Sequence, residues 1–221
     1  QTTSYRILKV ERQMSRTVKR CANPVISKKG VHEMKAVNLV EKNGVLLMNW
    51  QAQMGDQFTQ NISDKGGNGT YTCVAAPNSG KTIAAAHCMK LAQDNFETKR
   101  YIVVVPSVLI KDGWPEDLSI FGLMLSKNIT NDQLVRLKID PDLDGFVVTY
   151  QQVAMFPELY RRLVHDQNSM VVFDEVHHLG SNLSWGAACS NAFEFASIKL
   201  CLSGTPFRSD GQEIPFLEYE Q

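Results

Sequence analysis

Short apolar runs recur along the chain from residue 71 onward, and amphipathic segments separate them. Within each run the apolar residues are continuous, which is typical of strands that are buried on both faces of a parallel sheet. The predicted strands cover residues 71–75, 101–105, 146–149, 170–173 and 199–202. The predicted helices cover residues 51–61, 81–95, 108–123, 157–164 and 185–196. This pattern predicts an α/β fold with a mostly parallel sheet and helices on both faces.

The first 45 residues differ in charge from the rest of the chain. They hold ten Lys and Arg against three Asp and Glu, whereas the remaining residues hold thirteen against twenty. We therefore predict a basic N-terminal arm at residues 1–45, which ends near the turn dipeptide Asn43-Gly44, and an α/β domain at residues 46–221. Two interpretations of the arm are open: it contacts a phosphate backbone, or it is a solvated extension from a neighbouring domain.

Composition excludes several classes of protein. With 43% apolar and 21% charged residues, the chain is an ordinary globular protein. Its longest apolar run, residues 101–110, is too short to span a membrane. The five cysteines are scattered without a C-x-x-C pair. This usage favours a reducing, cytoplasmic compartment and argues against a disulfide framework or a zinc site.

Residues 75–82 read AAPNSGKT between a predicted strand and a predicted helix. The segment matches a Walker A loop with Ala75 in place of the first glycine. The backbone N–H groups of such a loop, together with the positive end of the following helix, bind the phosphates of ATP. The lysine reaches the β- and γ-phosphates, and the hydroxyl after it can bind Mg²⁺. The residues predicted to surround the phosphates are Pro77, Asn78, Ser79, Gly80, Lys81 and Thr82.

A second segment at the end of a predicted strand, residues 171–178, reads VVFDEVHH. Asp174 can hold Mg²⁺ through water, and Glu175 can orient a water for attack on the γ-phosphate. Together with Lys81 these carboxylates are the predicted catalytic groups. His177 and His178 could be imagined as further metal ligands, but no other Cys/His cluster completes such a site. A place in the nucleotide motif is therefore the favoured interpretation of both histidines.

Three further segments carry a family resemblance. Residues 103–114 read VVVPSVLIKDGW, residues 146–154 read FVVTYQQVA, and residues 202–210 read LSGTPFRSD. With AAPNSGKT and DEVH, they resemble the ordered motifs of the first RecA-like domain of superfamily-two helicases and translocases, in the branch of DEAH-type and restriction-enzyme motor subunits. The resemblance covers roughly residues 48–210. It implies a RecA-like motor domain that uses ATP and Mg²⁺ and acts on nucleic acid, DNA more than RNA.

The resemblance also implies roles for single residues. Gln51 would read the adenine edge, although Asn49 stands where the family usually has Arg; alternatively, Gln51 is a surface helix residue. The predicted nucleic-acid contacts are Pro106, Ser107, Thr149 and Tyr150. These offer hydroxyls, backbone N–H groups and a stacking face, or alternatively only cap and pack. The predicted coupling residues are His177, Ser203, Gly204 and Thr205. The three tryptophans are interpreted as packing residues.

The chain ends at Gln221, shortly after the last of these motifs. In the family a second RecA-like domain follows and supplies an arginine finger, which is worth roughly 10³–10⁵ in rate. We therefore expect a fragment of a longer protein that turns ATP over slowly by itself. The alternative function is a P-loop switch that controls a protein partner without a nucleic-acid track. Intact Lys81, Asp174 and Glu175 argue against a scaffold that does not hydrolyse ATP.

Overall fold

The computed structural model describes residues 39–42, 44–136, 138–165, 167–181, 183–204 and 216. The predictions for most of the basic arm, residues 1–38, and for Thr205 lie outside the described residues. Within the described ranges, no helix combines the length and the apolar character that crossing a membrane requires.

Strands and helices alternate along most of the described chain. The strands are β1 (Leu39–Lys42), β2 (Val45–Met48), β3 (Gly69–Val74), β4 (Arg100–Val105), β5 (Leu125–Ser126), β6 (Gly145–Thr149), β7 (Ser169–Phe173) and β8 (Ile198–Ser203). The helices are α1 (Asn49–Asp64), α2 (Lys81–Phe96), α3 (Val108–Lys111), α4 (Trp114–Ser119), α5 (Asn131–Val135), α6 (Tyr150–Met155), α7 (Pro157–His165), α8 (His177–Ser181) and α9 (Leu183–Ala192).

Six of the strands form one sheet in the order β3-β8-β7-β4-β6-β5, and every neighbouring pair is parallel. Successive side chains of β4 point to opposite faces. Val103 and Val105 pack with α1, α2 and α4, whereas Ile102 and Val104 pack with α6, α7 and α9. Burial on both faces explains why the strand sequences lack polar alternation. The predicted α/β fold is confirmed.

A separate antiparallel hairpin of β1 and β2 precedes the sheet. Its turn contains Gly44 with a φ of 75°, a conformation that glycine adopts without steric cost. The turn predicted from Asn43-Gly44 thus lies between two strands. The hairpin leads directly into α1, and its position thereby places Gln51 in the first turn of that helix.

Several parts of the fold differ from the sequence prediction, and two of them have a clear physical reason. The helix predicted at residues 108–123 is interrupted, and α3 and α4 take its place. Pro115 near the start of α4 has no N–H, so it cannot continue the helical bonding from α3. The stretch 124–145 contains β5 and α5, which are too short for a clear hydrophobic pattern. The start of α5 did carry a signal, since Thr130 and Gln133 form a capping box.

Gly145 in β6 generates a prediction about stability. A Cβ at this position would collide with the backbone carbonyl oxygen of Tyr101, its partner on β4. Gly145→Ala should therefore destabilise the domain by about 1–3 kcal/mol, because backbone and not a flexible side chain must move. Gly113→Ala is the matched control, since its nearest new contact is the Ile110 oxygen at 3.9 Å. Urea unfolding measures both variants, and equal stability for the two would contradict the packing.

Candidate nucleotide-binding site

Three neighbouring strands, β3, β8 and β7, bring the predicted phosphate residues to one edge of the sheet. Val74 at the end of β3 pairs with Ser203 of β8, and Phe173 at the end of β7 pairs with Cys201 of β8. Because parallel strands end at the same edge, the loop at residues 75–80 and the pair Asp174-Glu175 meet there. Segments that are about ninety residues apart in the sequence therefore form one site.

The loop between β3 and α2, residues 75–80, has the geometry of an anion cradle. Gly80 has a φ of 90°, and a Cβ on it would lie 2.7 Å from Nε2 of Gln51, so only glycine fits. Asn78 is also left-handed, with a φ of 59°. The Ser79 hydroxyl oxygen is buried without a hydrogen-bond partner. A buried, unpartnered hydroxyl and an open α2 N-terminus suit a phosphate group.

Lys81, the first residue of α2, reaches across the site and is only 8% exposed. Its Nζ lies 3.0 Å from Oε1 of Glu175 and donates to the Ala75 carbonyl oxygen at 3.1 Å. The second carboxylate oxygen of Glu175 accepts a hydrogen bond from the Gly204 N–H at 3.0 Å. These contacts join the ends of β3, β7 and β8 through one buried lysine.

Glu175 is held in an unusual backbone conformation, with a φ of 50°. Such left-handed backbone is uncommon outside glycine and concentrates at functional sites. Burial by itself would raise the pKa of the Glu175 carboxyl. The Gly204 N–H and the Lys81 ammonium outweigh burial and hold the pKa below its ordinary value. The carboxylate is therefore ionised at neutral pH.

Asp174 is as buried as Lys81, since each is 8% exposed. Hydrogen bonds with three other residues fix its position. Its carboxylate Oδ2 accepts a hydrogen bond from the indole Nε1 of Trp114 at 3.1 Å. Its backbone carbonyl accepts one from the Tyr150 hydroxyl at 2.8 Å, and its backbone N–H donates to Val104 at 2.9 Å. Burial raises the pKa of Asp174 to about 6, and the hydrogen bond from Trp114 opposes that shift.

Sequence reasoning assigned Trp114 to packing and thereby missed this contact. A buried indole N–H needs an acceptor, and that requirement is a general one. The sequence does not say which acceptor, because sixty residues separate Trp114 from Asp174.

Three of the four predicted coupling residues surround Glu175. Nδ1 of His177 lies 3.1 Å from Oγ of Ser203 and 3.4 Å from Oε2 of Glu175. Burial and the neighbouring His178 lower the pKa of His177. The imidazole is therefore neutral at pH 7, and its contact with Ser203 is a hydrogen bond without a formal charge.

Metal ligation at this edge would depend on few protein groups. Among the described residues, no three His, Cys, Asp or Glu side chains are arranged around a common point that a metal ion would occupy. Mg²⁺ keeps several waters and is commonly bound through one or two carboxylates and substrate phosphates. A role of Asp174 and the Thr82 hydroxyl in holding Mg²⁺ stays a prediction.

Gln51 is buried, with 1% of its surface exposed, so its interpretation as a surface residue is wrong. Its Oε1 accepts from the Met48 N–H at 2.8 Å, and its Nε2 donates to the Gly80 carbonyl at 3.0 Å. The amide therefore connects the end of β2 to the start of α2. Its contact with adenine stays a prediction.

The four residues predicted to contact nucleic acid lie at the ends of β4 and β6, which are neighbours in the sheet. Pro106 is half-buried and Ser107 is exposed. Both hydroxyl oxygens cap a helix: Ser107 Oγ accepts from the Ile110 N–H, and Thr149 Oγ1 accepts from the Gln152 N–H. Capping uses an acceptor lone pair, and a hydroxyl also carries one donor. We call these two strand ends, with Pro106, Ser107 and Thr149, the rim.

Tyr150 requires a correction. Its ring is fully buried and stacks on Trp185 at a centroid distance of 6.2 Å. The prediction that Tyr150 offers a stacking face to a nucleic-acid base is therefore wrong. The hydrogen bond from its hydroxyl to Asp174 gives it a supporting position beneath the site instead.

Comparison with known families identifies the domain. The family model described as "Type III restriction enzyme, res subunit" matches residues 45–208. The chain belongs to this family. The match confirms the predicted resemblance to a RecA-like motor domain of superfamily-two helicases and translocases.

Relatives of the chain include proteins from two mycobacteria. Uncharacterized proteins of Mycobacterium leprae (strain TN) and Mycobacterium tuberculosis (strain ATCC 25618 / H37Rv) are each 37% identical, over 149 and 150 residues. These matches cover 67% and 68% of this chain but 24% of each relative. The chain therefore spans about a quarter of the length of the curated relatives it matches.

Two solved structures share the fold of this family member. The Sulfolobus solfataricus SWI2/SNF2 ATPase core in complex with dsDNA is 20% identical with a TM-score of 0.56, over 72% of this chain and 32% of that one. A nuclease-deletion mutant of the Type ISP restriction-modification enzyme LlaGI, in complex with a DNA substrate mimic, is 15% identical with a TM-score of 0.52, over 72% and 17%. At these identities the likeness shows the fold alone.

The raised pKa of Asp174 generates a prediction about stability. The folded chain binds this proton more tightly than the unfolded chain, in which the pKa has its ordinary value of 3.8. Ionisation therefore lowers the free energy of unfolding as pH rises from about 4 to about 6. Asp174→Asn should remove this cost and stabilise the ligand-free chain at pH 7.5, on the order of 1–3 kcal/mol. Urea unfolding at pH 7.5 and pH 5 measures it, and a gain that is equal at both pH values would contradict the assignment.

Proposed function

We propose that this chain binds and hydrolyses Mg²⁺-ATP as part of a nucleic-acid helicase or translocase. The observation that carries the proposal is the convergence of Lys81, Asp174 and Glu175 at one edge of a parallel sheet. Phosphoryl transfer to water uses a cation on the phosphates, a carboxylate that holds Mg²⁺ and a group that orients the attacking water. Family membership supports the motor domain in general, and the local geometry supports the chemistry.

Nucleotide phosphates fit the loop before α2. The loop offers the unpartnered Ser79 hydroxyl, the α2 N-terminus and the Lys81 ammonium. Thr82 and Asp174 would hold Mg²⁺, which, when bound, neutralises phosphate charge. Gln51 lies against Gly80 and would contact the adenine end from there.

Hydrolysis would require Lys81 and Glu175 to separate. In the structure the Lys81 ammonium neutralises the Glu175 carboxylate, at an Nζ–Oε1 distance of 3.0 Å. Phosphate oxygens carry more negative charge than one carboxylate and would compete for the ammonium. Glu175 would then keep its bond from Gly204 and present Oε1 to a water molecule. His177 contacts both Glu175 and Ser203, so movement of the Glu175 carboxylate would alter the contacts at the end of β8.

The rim is the proposed contact for nucleic acid. It lies on the same sheet edge as the nucleotide site, at the adjacent strands β4 and β6. Hydroxyl and backbone N–H groups there suit phosphate oxygens and carry no sequence preference. The SWI2/SNF2 ATPase core is in complex with dsDNA and the LlaGI mutant is in complex with a DNA substrate mimic, so DNA is the first probe. A second RecA-like domain is the proposed intramolecular partner.

Lys81→Ala tests the phosphate site. Loss of the buried ammonium should weaken Mg²⁺-ATP binding at least about tenfold, because the lysine of a Walker A loop is the side chain that reaches the β- and γ-phosphates. Lys90→Ala is the matched control, since Lys90 lies on the same helix but pairs with Asp94 away from the site. Calorimetry measures both variants. Unchanged affinity in Lys81→Ala would overturn the proposed function.

Glu175→Gln tests hydrolysis apart from binding. The amide can still accept the Gly204 hydrogen bond but cannot act as a base, so single-turnover hydrolysis should fall by about 10²–10⁴. ATP affinity should equal or exceed that of the wild type, because the competing partner of Lys81 loses its charge. Glu194→Gln serves as the control, since Glu194 pairs with Arg161 on another face. Hydrolysis at the wild-type rate would refute the role of Glu175.

A further inference from the structure

Trp114 packs in the core and also donates a hydrogen bond to the candidate nucleotide site. It is the first residue of α4, it is 1% exposed, and it is among the largest fully buried side chains of the described chain. Its single polar group, the indole N–H, is directed at Oδ2 of Asp174 at 3.1 Å. The edge of the ring thus faces the nucleotide site, while the rest of the ring belongs to the core cluster with α1 and α2.

The sheet topology restricts the relative movement of Trp114 and Asp174. Trp114 follows β4 and Asp174 follows β7, and these strands are hydrogen-bonded neighbours with Val104 opposite Phe173. The backbone of Asp174 is fixed on both sides, since its N–H donates to Val104 and its carbonyl accepts from Tyr150. The remaining freedom of the residue is rotation of its carboxylate. The indole N–H restricts that rotation by holding one of the two oxygens.

We propose that Trp114 is a positioning residue that orients the Asp174 carboxylate for Mg²⁺ of bound Mg²⁺-ATP. This inference rests on the proposed function. With Oδ2 held by the indole, the direction of Oδ1 is set before the cation arrives. Hydrogen-bond partners of metal-binding carboxylates act in this way, and their removal typically lowers metal affinity by about tenfold or more.

A packing role and a positioning role predict different results for Trp114→Phe. Phenylalanine keeps an apolar ring in the core but has no N–H. If Trp114 only packs, the variant loses stability and its Mg²⁺-dependent behaviour is unchanged. If Trp114 positions Asp174, the effect is specific to Mg²⁺ and depends on Asp174.

The first experiment measures ATP binding to the 221-residue chain by calorimetry, with Mg²⁺ and with EDTA. Trp114→Phe should lower the Mg²⁺-dependent gain in ATP affinity about tenfold and leave the affinity in EDTA within about twofold. In the Asp174→Asn background the same substitution should have no further effect on that gain. Leu118→Val is the matched control, because Leu118 is fully buried in the same helix and its side chain carries no hydrogen-bonding group.

Three results would overturn the inference. The Mg²⁺-dependent gain in ATP affinity could be unchanged in Trp114→Phe, or it could fall equally in Leu118→Val. It could also fall further when Trp114→Phe is added to Asp174→Asn. A wild type that binds no ATP, with or without Mg²⁺, would instead overturn the proposed function.

A second measurement records the response of the wild-type chain itself. The chain has three tryptophans, so its indole N–H groups give three resolvable signals in a ¹H–¹⁵N spectrum. The Trp114 signal, assigned by its absence in Trp114→Phe or by selective labelling, should shift when Mg²⁺ is added to the ATP complex. It should shift much less with ATP in EDTA. If Mg²⁺ raises the ATP affinity but does not shift the Trp114 indole signal, the positioning role is refuted. That result would not contradict the proposed function.

Discussion

The contact between buried Lys81 and half-buried Glu175 is the interaction on which the site depends. A charge that leaves water is costly unless it is paired and its remaining hydrogen-bonding groups are satisfied. Here Lys81 also donates to the Ala75 carbonyl, and the Glu175 carboxylate also accepts from the Gly204 N–H. The pair therefore needs the ends of β3, β7 and β8 in register. A shift of any of these strands would leave a buried charge without a partner.

The strand order places the candidate nucleotide site and the rim on different parts of one sheet edge. The ends of β3, β8 and β7 lie together and carry the residues predicted to bind phosphate, whereas β4 and β6 lie beyond β7 and carry the rim. Asp174 is the residue where the two regions meet. Trp114, from the segment after β4, holds its carboxylate, and Tyr150, from the segment after β6, holds its carbonyl. A displacement of either rim segment would therefore change the surroundings of the proposed metal ligand.

Much of the fold could be predicted because burial on both faces leaves a direct trace in the sequence. The strands of the large sheet, except the two-residue β5, were predicted to within a few residues. Short continuous apolar runs between amphipathic segments are typical of such strands. The phosphate-binding role of Gly80 stays a prediction from the motif, and the structure shows a left-handed φ of 90° at this glycine. The break before Pro115 was missed, although proline has a known local effect, because the hydrophobic pattern continued across it.

The sequence alone determined the α/β class, the order of the motifs and the chemical types at the phosphate site, because each depends on local pattern or local backbone geometry. Only the tertiary structure decided which side chains meet. Gln51 proved to be buried between two backbone groups, Tyr150 lost its predicted stacking face, and Trp114 gained a carboxylate partner. The physical reason is common to all three. A polar group on a large side chain must find a hydrogen-bond partner when it is buried, but the partner is chosen by strand order, which local sequence does not encode.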